Sequence, residues 1–348
     1  LTRAATSRYD RSVRFRPSVR RLKIAVGVGI SVVLIVYLFR GLDLHEVVDQ
    51  LRGARWSWVG LAVLLAPVSL WARAKRWRYL FPPGADAPGL FPAVAIGYMA
   101  NNVLPLRAGE LLRVYVVARR WRRGFWTVVA TLVVERVLDI VAIVLILAAL
   151  IFVIPVPPVL EWTAVGLLAL ALVAVAALVF VALAPAVCRR LVTRVAGRRP
   201  ALERRFHGIL ETFIGGLAGI RARAHVGPLL AWTTIVWIVP ALAGWTMLAA
   251  MNVTLPWVAA WTILAFTGLG VTIPSAPGYI GVFHAAAVLA LTVFGVSHVT
   301  AVGYAVVFHA TQYVPVTLVG WLFLLREQLS LTSGPVLALG ADHTPVSS

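Results

Sequence analysis

Long apolar tracts separated by short basic segments dominate the chain. A membrane-crossing helix needs about 20 mostly apolar residues. Six uninterrupted tracts are of that order: Leu22–Phe39, Trp56–Trp71, Phe125–Ile154, Trp162–Val187, Pro228–Ala250 and His298–Leu325. Two further tracts are broken. One runs from Leu90 to Ala118 and is interrupted at NNVLPLRAGE (101–110); the other runs from Pro256 to Phe294 and is interrupted at PSAPGYIG (274–281). Leu22–Phe39 does not read as a cleavable signal peptide, because it is long, lacks a small-residue cleavage site and runs into Arg40 and an amphipathic segment. The pattern predicts an all-α polytopic membrane protein with six full spans and two opposed, interrupted, re-entrant helical hairpins. One membrane domain over 22–327 would hold them all, with a basic segment 1–21 before it and a disordered tail 328–348 after it.

The order of elements repeats. Residues 22–154 read span, span, broken hairpin, span, and residues 162–325 read the same. An amphipathic segment follows the first span of each half, at 41–55 and at 188–226. The first half starts on one side of the membrane and the second on the other. This is the hydropathy pattern of an inverted-topology repeat, in which paired broken segments mark the transport site.

Composition sharpens this picture. The chain is 61% hydrophobic and only 13% charged, with mean hydropathy +0.90. Soluble domains are nearer half apolar and a quarter charged, so a soluble enzyme of this length is excluded. The net charge of +19 would point to nucleic acid on a soluble chain. Here the cations follow the positive-inside rule, and no nucleic-acid partner is expected. The segment 1–23, the cluster Arg73–Arg78, the cluster Arg113–Arg123 and the nine Arg of 188–226 all fall on one side if the N-terminus is cytoplasmic. Arg40, Arg52 and Arg55, balanced by Asp43, Glu46 and Asp49, fall on the other. Both termini are then cytoplasmic, and a multi-pass plasma-membrane protein is expected. The basic 188–226 loop can lie on anionic lipid as a surface helix. Trp56, Trp58, Trp71 and Trp77 flank the second span and read as interfacial anchors. The single Cys188 excludes a disulfide framework, and no His or carboxylate has metal-ligand spacing, so neither metal nor cofactor is expected. No phosphate-cradling P-loop and no Gly-x-Ser-x-Gly nucleophile motif is present.

The residues that topology does not absorb are few. The first interruption holds Asn101, Asn102, Pro105, Arg107, Gly109, Glu110 and Arg113. Glu110 and Arg113 are three apart and can pair on a resumed helix. Arg107 and Arg113 stand beside a carboxylate and a broken backbone; they suit a bidentate grip on phosphate, or else anchor the interface. The next span carries Glu135, Arg136 and Asp139. An ionised group at a helix centre costs about 2.5–3.5 kcal/mol on insertion scales, so three within five residues demand partners. They form either an internal salt bridge or the wall of a polar cavity, and the acidic pair can complement Arg107 or Arg113. The second interruption contributes Ser275, Gly278, Tyr279 and Gly281, then His284; the last span adds His309, Gln312 and Tyr313. Backbone freed at Pro105 and Pro274 cannot face lipid and must be buried or line a wet cavity.

Three ordered motifs, NNVLPLRAGELLR (101–113), ERVLD (135–139) and PSAPGYIGVF (274–283), resemble the lysylphosphatidylglycerol synthase transmembrane-region family over about residues 22–327. These are flippase-like membrane proteins found alone or fused to catalytic domains. The resemblance places Asn102, Pro105, Arg107, Gly109, Glu110 and Arg113 on the family's polar hairpin. It places Glu135, Arg136 and Asp139 on its charged helix, and Pro274, Pro277, Gly278 and Gly281 on its second broken segment. His284 departs from the acidic residue that relatives often carry there. A stand-alone member, without the soluble aminoacyl-transfer domain, is expected.

The implied function is movement of an anionic lipid head group across the bilayer, with membrane lipid as partner: a phospholipid, an aminoacylated derivative or a polyprenyl-phosphate-linked sugar. A partner enzyme would supply the modified lipid. A membrane transferase acting on a lipid-linked substrate and a non-catalytic membrane subunit remain the alternatives. Oligomeric state is not legible.

Overall fold

The computed structural model describes residues 17–40, 44–84, 89–104, 108–120, 124–154, 158–196, 199–273 and 275–327. All regular structure among them is helical. The six uninterrupted tracts are single long helices: α1 (Pro17–Phe39), α3 (Trp56–Arg78), α6 (Phe125–Ile151), α7 (Pro158–Leu183), α11 (Arg223–Ala250) and α14 (His298–Arg326). Of these, α3, α7 over Val165–Leu183, α11 and α14 are long and apolar enough to cross a membrane. On α7, Leu170, Leu172, Val173 and Phe180 are exposed, an apolar face that needs lipid or protein against it.

The broken tracts are pairs of short helices. The first gives α4 (Leu90–Val103) and α5 (Gly109–Arg120). The second gives α12 (Trp257–Gly270), a single 3-10 turn at Pro277–Tyr279, and α13 (Val282–Thr292). At 1.5 Å per residue none exceeds about 21 Å, short of a bilayer core of about 30 Å. Each pair folds back on itself. Gly97 on α4 lies against Gly109 and Arg113 on α5, and Gly270 on α12 lies against Val282 and Ala286 on α13. Pro105, Arg107 and Pro274, at the breaks, lie outside the described residues, as do 1–16 and the expected tail 328–348.

The amphipathic segments are helical too. Residues 44–52 form α2 (Leu44–Arg52). The basic amphipathic stretch 188–226 forms most of α8 (Pro185–Ala196), then α9 (Pro200–Gly216) and the short α10 (Ala218–Arg221). Its arginines are spaced among apolar residues at helical period, and Pro200 sits where a helix start loses no hydrogen bond. Arg189 on α8 pairs with Glu211 on α9 at 2.5 Å.

The packing repeats between halves. α3 and α11 run antiparallel along each other at the centre. Around that pair, α4 packs on α3 as α12 packs on α11, α4 packs on α14 as α12 packs on α6, and α2 packs on α14 as α9 packs on α6. One apolar core surrounds the α4–α5 hairpin, centred on Leu70, Trp77, Val94 and Leu112. The other surrounds α12–α13, centred on Ile263, Phe266, Leu291 and Tyr304.

Two close approaches hold the first hairpin. A Cβ on Gly109 would stand 1.9 Å from the Gly97 carbonyl oxygen, and one on Gly320 of α14 would stand 2.2 Å from Met99 Cβ. Gly109→Ala is expected to cost about 1–3 kcal/mol or more by overpacking, read as a fall in the unfolding midpoint in detergent. Gly60→Ala on α3, where nothing lies within 4 Å, is the control and leaves the midpoint unchanged or higher.

Candidate functional site

On α6 the spacing i, i+1, i+4 puts Glu135 and Asp139 on one face, with Arg136 beside them. Glu135 is fully buried and accepts from Arg113 Nη1 and Nη2 at 3.2 and 3.1 Å and from Arg136 Nη2 at 2.5 Å. Arg76 of α3 reaches Asp139 at 2.7 Å and Glu135 at 3.6 Å. Arg136 also meets Asp139 at 3.2 Å and Glu110 at 3.6 Å. Three guanidinium groups and three carboxylates therefore join α3, α5 and α6 in one network. Arg113 is 2% exposed and Arg76 0%, so neither charge can be solvated by water. The Arg113 guanidinium lies 4.5 Å from the Trp77 ring centroid, and Trp77 donates its indole N–H to Thr131 Oγ1 at 2.9 Å.

Two sequence expectations change here. The Glu110–Arg113 pair three residues apart is not formed, because Arg113 turns to Glu135 while Glu110 meets Arg136. Trp77 is not an interfacial anchor. It is 0% exposed and forms the apolar floor under Arg113, whereas Trp56 and Trp71 are exposed. The alternative of an internal salt bridge for Glu135, Arg136 and Asp139 is present in the geometry. The match of the acidic pair to Arg113 is present too.

A cavity of about 240 Å³ lies beside this network. Its walls come from the middles of α3, α11 and α14 and from both broken hairpins. Asn102 of α4, Tyr279 of the 3-10 turn, and His309 and Tyr313 of α14 line it, with Ser69, Arg73, Tyr98 and Gln312. Much of the rest is apolar, including Leu70, Ile263, Phe283 and Phe308. The two interruptions meet directly at its edge. A Cβ on Gly278 would come within 2.6 Å of the Tyr313 ring and 3.4 Å of the Asn102 carbonyl oxygen. Asn102 donates its side-chain N–H to Thr317 Oγ1 at 2.9 Å. His309 donates from Nε2 to the Gly278 carbonyl at 2.8 Å.

The remaining predicted residues build the hairpins. Asn101 Oδ1 accepts the Gly109 N–H at 2.9 Å, closing α4 on α5. His284 Nδ1 accepts the Gly281 N–H at 3.2 Å, capping α13. Its ring stands edge-on to His309 at 4.8 Å. Gly278, Tyr279 and Gly281 have φ of 74°, 59° and 89°, left-handed backbone that turns the chain sharply. Ser275 packs against α1, where a Cβ on Gly27 would lie 3.0 Å from the Ser275 carbonyl oxygen, and so stands away from the cavity lining. Arg107 lies outside the described residues.

Arg73, Arg76 and Trp77 were hidden by the basic cluster in which they sit. The signal that finds them is the buried stripe of α3. Ala62, Ala66 and Leu70 are buried at helical spacing, and continuing that spacing reaches 73 and 76–77, leaving Lys75 and Arg78 to the other faces.

Residues 24–320 match the family described as lysylphosphatidylglycerol synthase TM region. The chain belongs to that family. It is also 32% identical over 132 residues to glycosyltransferase AglD of Haloferax volcanii, a match covering 37% of this chain and 21% of that protein. The chain thus overlaps only about a fifth of that relative's length.

Removing Glu135 would leave Arg113 and Arg76 buried with one carboxylate too few. Glu135→Gln is expected to cost about 3–5 kcal/mol, read by thermal unfolding in detergent. Arg113→Met combined with Glu135→Gln keeps the remaining charges balanced, and the double variant is expected to be more stable than the sum of the two single losses implies. Simple additivity would show that the two side chains do not act as a pair.

Proposed function

We propose that the protein moves a lipid with a phosphate-bearing head group across the bilayer, the head group passing through the cavity while the acyl or prenyl chains stay in lipid. The observation that carries this reading is the cavity among the middles of span-forming helices, where the two broken hairpins meet and Asn102, Arg73, His309 and Tyr313 stand among largely apolar walls. Polar groups at that depth are costly unless they serve a partner or a path. The family match supports a membrane-lipid role, and the overlap with a protein named as a glycosyltransferase fits a lipid-linked sugar as cargo as well as a phosphatidylglycerol derivative. In this reading the α4–α5 and α12–α13 hairpins are re-entrant, the halves 22–154 and 162–325 are inverted repeats, both termini are cytoplasmic, and the host is the plasma membrane. A separate enzyme supplies the modified lipid. The ion network holds the first hairpin against α6 and α3, so that Asn102 and Tyr98 stay on the cavity wall.

Vesicles reconstituted with the purified protein and a head-group-labelled phosphatidylglycerol test this. Wild type should expose inner-leaflet label to a membrane-impermeant quencher well above the protein-free rate. Ser69→Trp, which fills the cavity from α3, should slow that movement about tenfold or more, a barrier increase of about 1.4 kcal/mol. Movement at the wild-type rate by a folded Ser69→Trp protein would remove the cavity from the path.

A further inference from the structure

The network and the cavity are neighbours but differ electrically. Among the described residues, Arg76, Arg113 and Arg136 are matched by Glu110, Glu135 and Asp139, so the network is formally neutral. Arg73, one turn before Arg76 on α3, lines the cavity and makes no ion pair with a described carboxylate. Its guanidinium carbon stands 5.3 Å from the centroid of the Tyr98 ring, which is itself on the cavity wall. Among the described residues, no Asp or Glu lines the cavity. Among the described residues the lining therefore carries one positive charge, Arg73, which feels Glu135 of the network at a distance but has no carboxylate in ion-pair contact; in largely apolar surroundings that charge favours an anion and repels a cation.

The groups around Arg73 suit one kind of anion. The Tyr98 and Tyr313 hydroxyls make no hydrogen bond with a described residue, and the Gln312 amide makes only long contacts of 3.5 Å. All three can donate. A planar, permanently charged fork with hydroxyl and amide donors nearby is what a phosphate ester accepts from. The cavity sits at mid-helix on α3, α11 and α14, so the ester most readily arrives on a lipid.

We propose that Arg73 is the anion-selecting residue of the cavity and that it binds the phosphate of a lipid phosphoester. Its place in a transport cycle rests on the function proposed above; the binding claim is measured separately. Wild type, Arg73→Gln and Arg73→Lys are compared in detergent by native mass spectrometry and thermal unfolding, with phosphatidylglycerol, phosphatidylcholine or soluble glycerol phosphate added. Wild type should bind phosphatidylglycerol in preference to phosphatidylcholine and gain stability from it. Arg73→Gln should weaken phosphatidylglycerol binding about tenfold or more, the loss of a charge-assisted contact, and erase the preference. Arg73→Lys keeps the charge without the fork and should lie between; it carries the test if Arg73→Gln does not fold. An unchanged preference in the folded variants overturns the assignment, as does equal binding of the two lipids by wild type. Stabilisation by glycerol phosphate as large as by lipid overturns the lipid source. Arg73-dependent binding together with absence of lipid movement by wild type leaves this assignment standing and removes the transport reading.

Discussion

Charge neutralisation away from water is the constraint on which the rest of this bundle depends. Three guanidinium groups and three carboxylates sit among α3, α5 and α6, and the innermost of them have no access to water. In such surroundings each must find its counter-charge in the protein. That requirement, together with the buried Leu112, Val114, Val116 and Val117, fixes α5, a 12-residue helix. Once α5 is fixed, the contact at Gly97 and Gly109 fixes α4, and the fit of Gly320 against Met99 together with the Asn102–Thr317 hydrogen bond fixes α4 on α14. One wall of the cavity is thus positioned by ion pairs that do not themselves line it.

The two hairpins solve the same problem by different chemistry. The first closes with a side chain, Asn101 on the Gly109 N–H, and is held from outside by charge. The second closes with backbone: left-handed residues at 278, 279 and 281 turn the chain, and Ser31 of α1 accepts the Ala276 N–H at 2.9 Å. His284 stands in that second turn as an uncharged cap rather than as a carboxylate. Its acceptor nitrogen does for the Gly281 N–H what an acid would do. It needs no counter-cation, which suits a hairpin whose helices α12 and α13 carry no Lys or Arg.

Hydropathy made the fold legible because lipid leaves backbone few options: every apolar tract became a helix, and each polar break became a hairpin. The Glu135–Arg136–Asp139 triplet was legible for the same reason, since three charges in a span stand out against apolar neighbours. Partner choice was legible only in part, since the sequence offered Arg113 both Glu110 and the Glu135–Asp139 pair. Local spacing favoured Arg113 with Glu110, but only the approach of α5 to α6 shows that Glu135 is better placed. Arg73, Arg76 and Trp77 were obscured by their own surroundings, because a basic, Trp-containing helix end is what the membrane interface also selects. The cavity wall was half legible: Asn102 and Tyr279 were named from the interruptions and His309, Gln312 and Tyr313 from the last span, while Ser69, Arg73 and Tyr98 come from helices whose sequence shows no break at those positions.

The central antiparallel pair has a mechanical consequence. The Arg55 N–H donates to the Ala250 carbonyl at 2.8 Å at one end, and His225 Nδ1 meets the Tyr79 carbonyl at 2.9 Å at the other. Between them, Trp58 packs edge-on against Trp245 and Trp71 against Trp232. A pair of helices pinned at four stations along its length resists scissoring. It behaves as a keel. Any widening of the space beside it must come from the short helices and α14 swinging away, so access would be governed by what moves against the keel rather than by the keel parting.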